Sequence, residues 1–163
     1  MSEDNRTPKT LKPARTPLLV PMEKTAIFPE GKGAALLRAA CFDQPTGITG
    51  YWTPTTGDLD GVEAGLEKFL EEQGRKPQSD WSRHFRQVAG LRQDGERTLF
   101  LSYFVIEAEG PPGTPAGTPD SAKLPERWKQ EAFWNNDGGD TFFRVIYDPS
   151  KREFIWYERN RDA

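Results

Sequence analysis

One cysteine, Cys41, leaves the chain without an intrachain disulfide, and one histidine, His84, leaves it without a second imidazole. A metal site built on several His or Cys ligands is thereby excluded. No glycine-rich phosphate loop is present: Gly31-Lys32-Gly33 has neither the preceding strand nor the full spacing. No apolar run approaches the roughly 20 residues of a membrane-spanning helix. Blocks of one charge are missing too. The 22 Lys and Arg are interspersed with 25 Asp and Glu, for a net charge of -3, so a nucleic-acid partner is not expected outside a local basic strip on residues 83–92. The first residues, Met-Ser-Glu-Asp-Asn-Arg, are polar and acidic, the reverse of a signal peptide's start. Leu37-Arg38-Ala39-Ala40-Cys41 has the outline of a lipoprotein cleavage site, but an arginine interrupts it and prolines stand where an apolar stretch should be. The expectation is a soluble, cytoplasmic protein without membrane contact, although a chain trimmed of its leader would read the same.

Apolar residues are also few, at 35% with a mean hydropathy of -0.76, yet the deficit is local. Residues 1–17 and 109–125 contain almost nothing to bury. Residues 109–125 hold five prolines and three glycines, which delete backbone donors and raise the entropy of ordering, so a long surface loop is expected there. Prolines 8, 13, 17, 21 and 29 favour an extended N-terminal arm over 1–33, with the apolar islands Leu18-Leu19-Val20 and Ala26-Ile27-Phe28 lying along the domain or a partner. Residues 34–163 are expected to form one domain.

The clearest predicted helix is 60–73. Asp60 with Glu63 forms a capping-box pattern, and Leu59, Val62, Leu66, Phe69 and Leu70 make one apolar stripe. Glu63, Glu67, Lys68, Glu71 and Glu72 are expected on the solvated face, and Gly74 ends the helix. The alanine-rich run 33–41 reads as a short helix or strand. Residues 81–93 alternate, with Trp81, Phe85, Ala89 and Leu91 on one side and Ser82, His84, Arg86 and Arg92 on the other. Asp94-Gly95 is a two-residue hairpin signal. Residues 97–107 read as a strand apolar on both faces through Leu99–Ile106, as in an interior strand. Strands over 141–147 and 153–158 follow, joined by a turn at Asp148-Pro149. Tyr51-Trp52-Thr53 adds a short strand before the helix.

One helix followed by a four-stranded antiparallel meander is an α+β fold in which the sheet curls round the helix. That order, over about residues 48–157, resembles the cystatin-like roll. Nuclear-transport-factor-like proteins share much of it. Gln87-Val88-Ala89-Gly90 stands where cystatins carry a Gln-x-Val-x-Gly wedge; the resemblance implies that Gln87, Val88 and Gly90 enter a cysteine protease cleft. The motif here is one residue short, and the Pro-Trp pair of the second cystatin wedge is absent from the last hairpin, which has Asp148-Pro149 instead.

Catalytic groups are sparse. His84 and Cys41 together would make a nucleophilic dyad, but the line of arginines beside His84 suits a solvent- or partner-facing ring. Asn135 to Asp140 offers several oxygens close together, but without EF-hand spacing they read as a turn. No catalytic residue, cofactor or metal is expected. The binding candidates are Trp128 and Trp134 beside the loop, Asp137 and Asp140 in the turn, Arg144, Tyr147 and Tyr157 on a concave sheet face, and His84. The expected function is a non-enzymatic, protein-binding module, with an immunity- or inhibitor-type role in view. Alternatives are a small-molecule-binding or weakly enzymatic pocket of nuclear-transport-factor-like type and, third, a cysteine protease inhibitor.

Overall fold

The computed structural model describes residues 19–75, 81, 83–105, 128–132 and 142–159. Six strands form one mixed sheet: β1 (Thr25–Ile27), β2 (Ile48–Trp52), β3 (His84–Gln93), β4 (Glu96–Val105), β5 (Phe143–Asp148) and β6 (Glu153–Arg159). β3 to β6 make the expected antiparallel meander, in the order β3-β4-β5-β6. Two further strands share the outer edge of β3. β1, inside the stretch read as an extended arm, runs parallel to residues 86–88, and β2 runs antiparallel to residues 90–93.

The Asp94-Gly95 turn has φ of 49° and 85°, the left-handed pair that a two-residue hairpin requires. At the other hairpin, Asp148 caps the turn: its Oδ1 accepts from the Ser150 amide at 3.0 Å and the Ser150 hydroxyl at 2.7 Å. Ile155 has no partner across the ladder, since Ile146 pairs with Trp156 and Tyr147 with Phe154. This bulge bends the outermost strand of the meander.

Among the described residues two helices flank the sheet: α1 (Gly33–Ala40), in the run read as a short helix or strand, and α2 (Leu66–Glu72), within the one main helix expected. The predicted 60–73 helix is broken. Two 3-10 turns, Thr56–Leu59 and Val62–Gly65, precede α2, because Gly61 adopts φ 76° and reverses the backbone before a helix can propagate. The capping box falls on Thr55 and Asp58, not on Asp60 and Glu63. The helix end is as expected: Gly74, at φ 88°, lets the Arg75 amide reach the Leu70 carbonyl and the Gly74 amide reach that of Glu71, a Schellman motif.

Side chains alternate across the strands, so each face has its own core. On one face Val88, Leu99, Leu101, Phe143 and Val145 pack with Leu59, Val62, Leu66 and Leu70. On the other, Ala89, Leu91, Phe100, Phe104 and Ile146 pack with Leu36, Leu37 and Ala40 of α1 and with Phe28 and Trp128. Burying one such Leu or Phe stabilises the fold by roughly 1.5–3 kcal/mol. The sheet is therefore covered on both faces. His84 and Arg86, read as facing solvent, instead point into the α2 layer and are 2% and 0% exposed.

Candidate functional site

The predicted site residues divide. Trp134, Asp137 and Asp140 lie outside the described residues. Trp128 is buried, its ring set edge-on against Phe85 at 5.1 Å and Phe104 at 6.2 Å, so it anchors the α1 layer. His84 is buried against Trp81 at 4.8 Å. Cys41 belongs to the opposite layer, so the sheet separates the two halves of the dyad. Burial, with Glu158 adding to it, pushes the Cys41 thiol up to about 12. It is protonated at neutral pH and is a poor nucleophile.

Arg144 is split from the tyrosines in the same way. Tyr147 and Tyr157 stand on the α2 face, while Arg144 pairs with Ser102 on the α1 face. Positions an odd number apart on one strand face opposite ways, and Tyr157 pairs with Val145 on the α2 side, so these three do not line a common surface. Arg144 is fully buried. It donates to Glu158 Oε1 at 2.7 Å and lies 5.1 Å from the Phe142 ring and 5.4 Å from Phe42. Glu158 also accepts from the amides of Phe42 and Asp43, at 3.0 and 2.8 Å, clasping the end of α1 to β6. In the same cross-strand row, Gln87 donates to the carbonyls of Trp128 and Glu131, at 2.6 and 2.7 Å. Gln87 and Val88 are wholly buried, and Gly90 lies under Trp52; a Cβ there would sit 2.5 Å from the Trp52 carbonyl oxygen. The wedge-like tetrapeptide is interior packing.

The largest departure from the expected pattern is Glu63. Placed on the solvated face by its spacing, it is buried and pairs with Arg86 at 2.9 Å. It further accepts from the Tyr103 hydroxyl at 2.6 Å and from the Leu19 and Val20 amides at 2.7 and 3.2 Å. Burial first, then the Glu63 carboxylate, holds the Tyr103 phenol well above its usual range. This network fastens residues 19–20 to the sheet, and further hydrogen bonds support the desolvated pair: Arg86 Nε donates to the Thr25 hydroxyl at 3.1 Å and Nη2 to the Val20 carbonyl at 3.4 Å. The signal available in the sequence was the pair of glycines, Gly61 and Gly65, that bracket Glu63 and unseat it from a regular helical face.

Of the predicted residues that are described, Tyr147 lines a surface groove. A groove of about 1350 Å³ runs between the segment 57–72 and the β5–β6 hairpin. Phe69, Tyr147 and Phe154 form its aromatic side: Tyr147 meets Phe154 at 5.0 Å, and Phe69 meets Phe154 at 5.1 Å. Tyr157 lies behind them, 6.2 Å from Phe69. Burial raises the Tyr147 phenol, Asp148 adds to the rise, and Arg152 opposes it, so the group is a neutral hydrogen-bonding hydroxyl near pH 7. Pro21 and Met22 close one side, and Asp58, Asp60, Lys68, Glu72, Arg152 and Glu153 add charge. Sequence reading missed the groove because Phe69 and Phe154 come from elements that pattern alone could not place in register.

The fold and groove define an α+β protein with a mixed sheet between two helices, carrying an open aromatic groove at one end. The chain matches no protein-family model, no curated protein and no solved structure. Among the described residues no helix is long and apolar enough to cross a membrane, and no cluster of His, Cys, Asp and Glu is arranged to hold a metal ion.

Proposed function

We propose that this protein is a non-enzymatic interaction module that receives a segment of another protein in the groove between α2 and the β5–β6 hairpin. The observation that carries this reading is the groove itself. Phe69 and Phe154 stand half-buried beside charged side chains, the combination of apolar contact and polar rim found at protein interfaces. Its volume of about 1350 Å³ exceeds the roughly 300–1,000 Å³ of ordinary small-molecule pockets, and it is only partly enclosed. A nuclear-transport-factor-like ligand pocket is therefore the weaker reading. An immunity- or inhibitor-type role, in a cytoplasmic setting, is the specific form of the module we favour. The β3–β6 meander crossed by α2 supports a cystatin-like relationship at the level of topology. Protease inhibition through Gln87, Val88 and Gly90 has no support from their buried positions.

A photo-crosslinking side chain placed at Lys68, on the groove, should trap a discrete protein partner in the native host. The same group at Arg38, exposed on α1 across the sheet, should not. Equal labelling at both positions, or none at Lys68, would reject the groove as the docking surface.

A further inference from the structure

We infer that the groove's occupant is an extended, cationic segment of a partner protein, with lysine or arginine spaced along it. This rests on the reading of the groove as a docking surface and adds the chemistry of the ligand. Charge is the first argument. Four carboxylates, Asp58, Asp60, Glu72 and Glu153, line the groove against two cations, Lys68 and Arg152. An approaching segment therefore meets a net negative wall, which steers and orients a positive ligand.

The aromatic side suits the same ligand. Phe69, Tyr147 and Phe154 present ring surface to aliphatic stems and to cations, whose attraction to ring faces is electrostatic. Rings elsewhere in this molecule already take cations: Arg75 lies 4.3 Å from the Phe143 centroid and Arg97 4.6 Å from that of Trp52. The opposite wall favours an extended backbone. Gly57, Gly61, Ala64 and Gly65 line it, and Cβ atoms built at Gly61 and Gly65 would meet nothing within 4 Å. A main chain can approach that wall closely.

The test uses the full chain and a fluorescent twelve-residue probe, four repeats of Pro-Lys-Thr, with a Pro-Glu-Thr counterpart, read by anisotropy. The lysine probe should bind, weaken several-fold as salt rises through the range where exposed charges are screened, and be preferred to the glutamate probe. Asp60→Asn with Glu72→Gln should weaken binding by about tenfold, and Lys68→Glu should tighten it by about three- to tenfold. The tightening is the informative arm, since a misfolded variant cannot gain affinity. No binding of the lysine probe, or binding indifferent to these substitutions, overturns the inference. Preference for the glutamate probe overturns it while leaving the docking surface intact, which the Lys68 crosslink judges separately. Self-association strengthened by Lys68→Glu would seat a second copy of this chain in the groove, and would also overturn it.

Discussion

Cys41 lies at the end of α1, where burial and the neighbouring Glu158 both resist ionisation of its thiol. The consequence is a pH dependence with a definite sign. In the unfolded chain the thiol titrates near 9.0, and in the folded chain at about 12. Between those values the unfolded state gives up a proton that the folded state retains. The stabilisation is complete below pH 9 and drains away as pH climbs toward 12. Unfolding in urea at pH 9 and pH 10 should show a loss of about 1 kcal/mol that Cys41→Ala does not show. The buried Tyr103 phenol adds a further alkaline loss common to both proteins, with an onset above its ordinary value of 10.0. Parallel pH profiles for the two proteins would mean that the thiol is solvated. Glu63 makes the complementary point about legibility at this scale. Spacing assigns a residue to a face only if the helix is regular; the glycines beside Glu63 warn that it is not, but an arginine partner on a distant strand leaves no local signature. Arg86 is concealed for the same reason, since each of the two charges reads as solvated until the other is placed beside it.

Among the elements, the meander was legible, and so in outline were β2 and α1, whereas β1 and the break in the 60–73 helix were not. Asp94-Gly95 dictates its own turn, the doubly apolar run in β4 demands cover on both faces, and Gly74 with its left-handed φ stops α2. β1 and β2 are 3 and 5 residues long, and short strands carry too few alternations to declare their partners. Their pairing depends instead on tertiary fit at β3. The end of β2 is held where Trp52 crosses Gly90, with the indole nitrogen donating to the carbonyls of Leu91 at 3.0 Å and Thr98 at 3.2 Å. A methyl group at position 90 would collide with backbone as well as ring, at 2.5 and 2.7 Å, and backbone yields less readily than a flexible side-chain tip. Gly90→Ala should therefore lower stability by about 1–3 kcal/mol, the usual cost of overpacking a filled core. Gly31→Ala is the control: a Cβ there meets nothing within 4 Å, and its unfolding midpoint should hardly move. Equal stability of the two variants would mean that β2 is not locked on β3 by this contact. The glycine that looked like part of a protease-binding motif is in this account a spacer for a tryptophan.

For the whole molecule, the sheet is shared property of two cores on its opposite faces. Leu66 packs in the α2 layer and Leu37 in the α1 layer, each almost wholly inaccessible. Among the described residues the layers are joined through strands whose alternate side chains serve opposite faces, as Leu101 and Phe100 do at adjacent positions of β4. Packed layers are separated by about 10 Å, and the two leucines belong to different clusters, so a cavity at one is not expected to be filled by the neighbours of the other. Leu66→Ala and Leu37→Ala should each cost about 2–5 kcal/mol, and the double variant should lose the sum of the two within about 0.5 kcal/mol. Yet each loss should appear as a shift of one transition, seen alike by tryptophan fluorescence and by far-ultraviolet circular dichroism, because neither layer retains a sheet without the other. Two separable transitions would show that one helix and its layer can detach while the meander persists. In that event the groove, built from α2 and the β5–β6 hairpin, would open and close with the weaker layer, and ligand affinity would follow local rather than global stability.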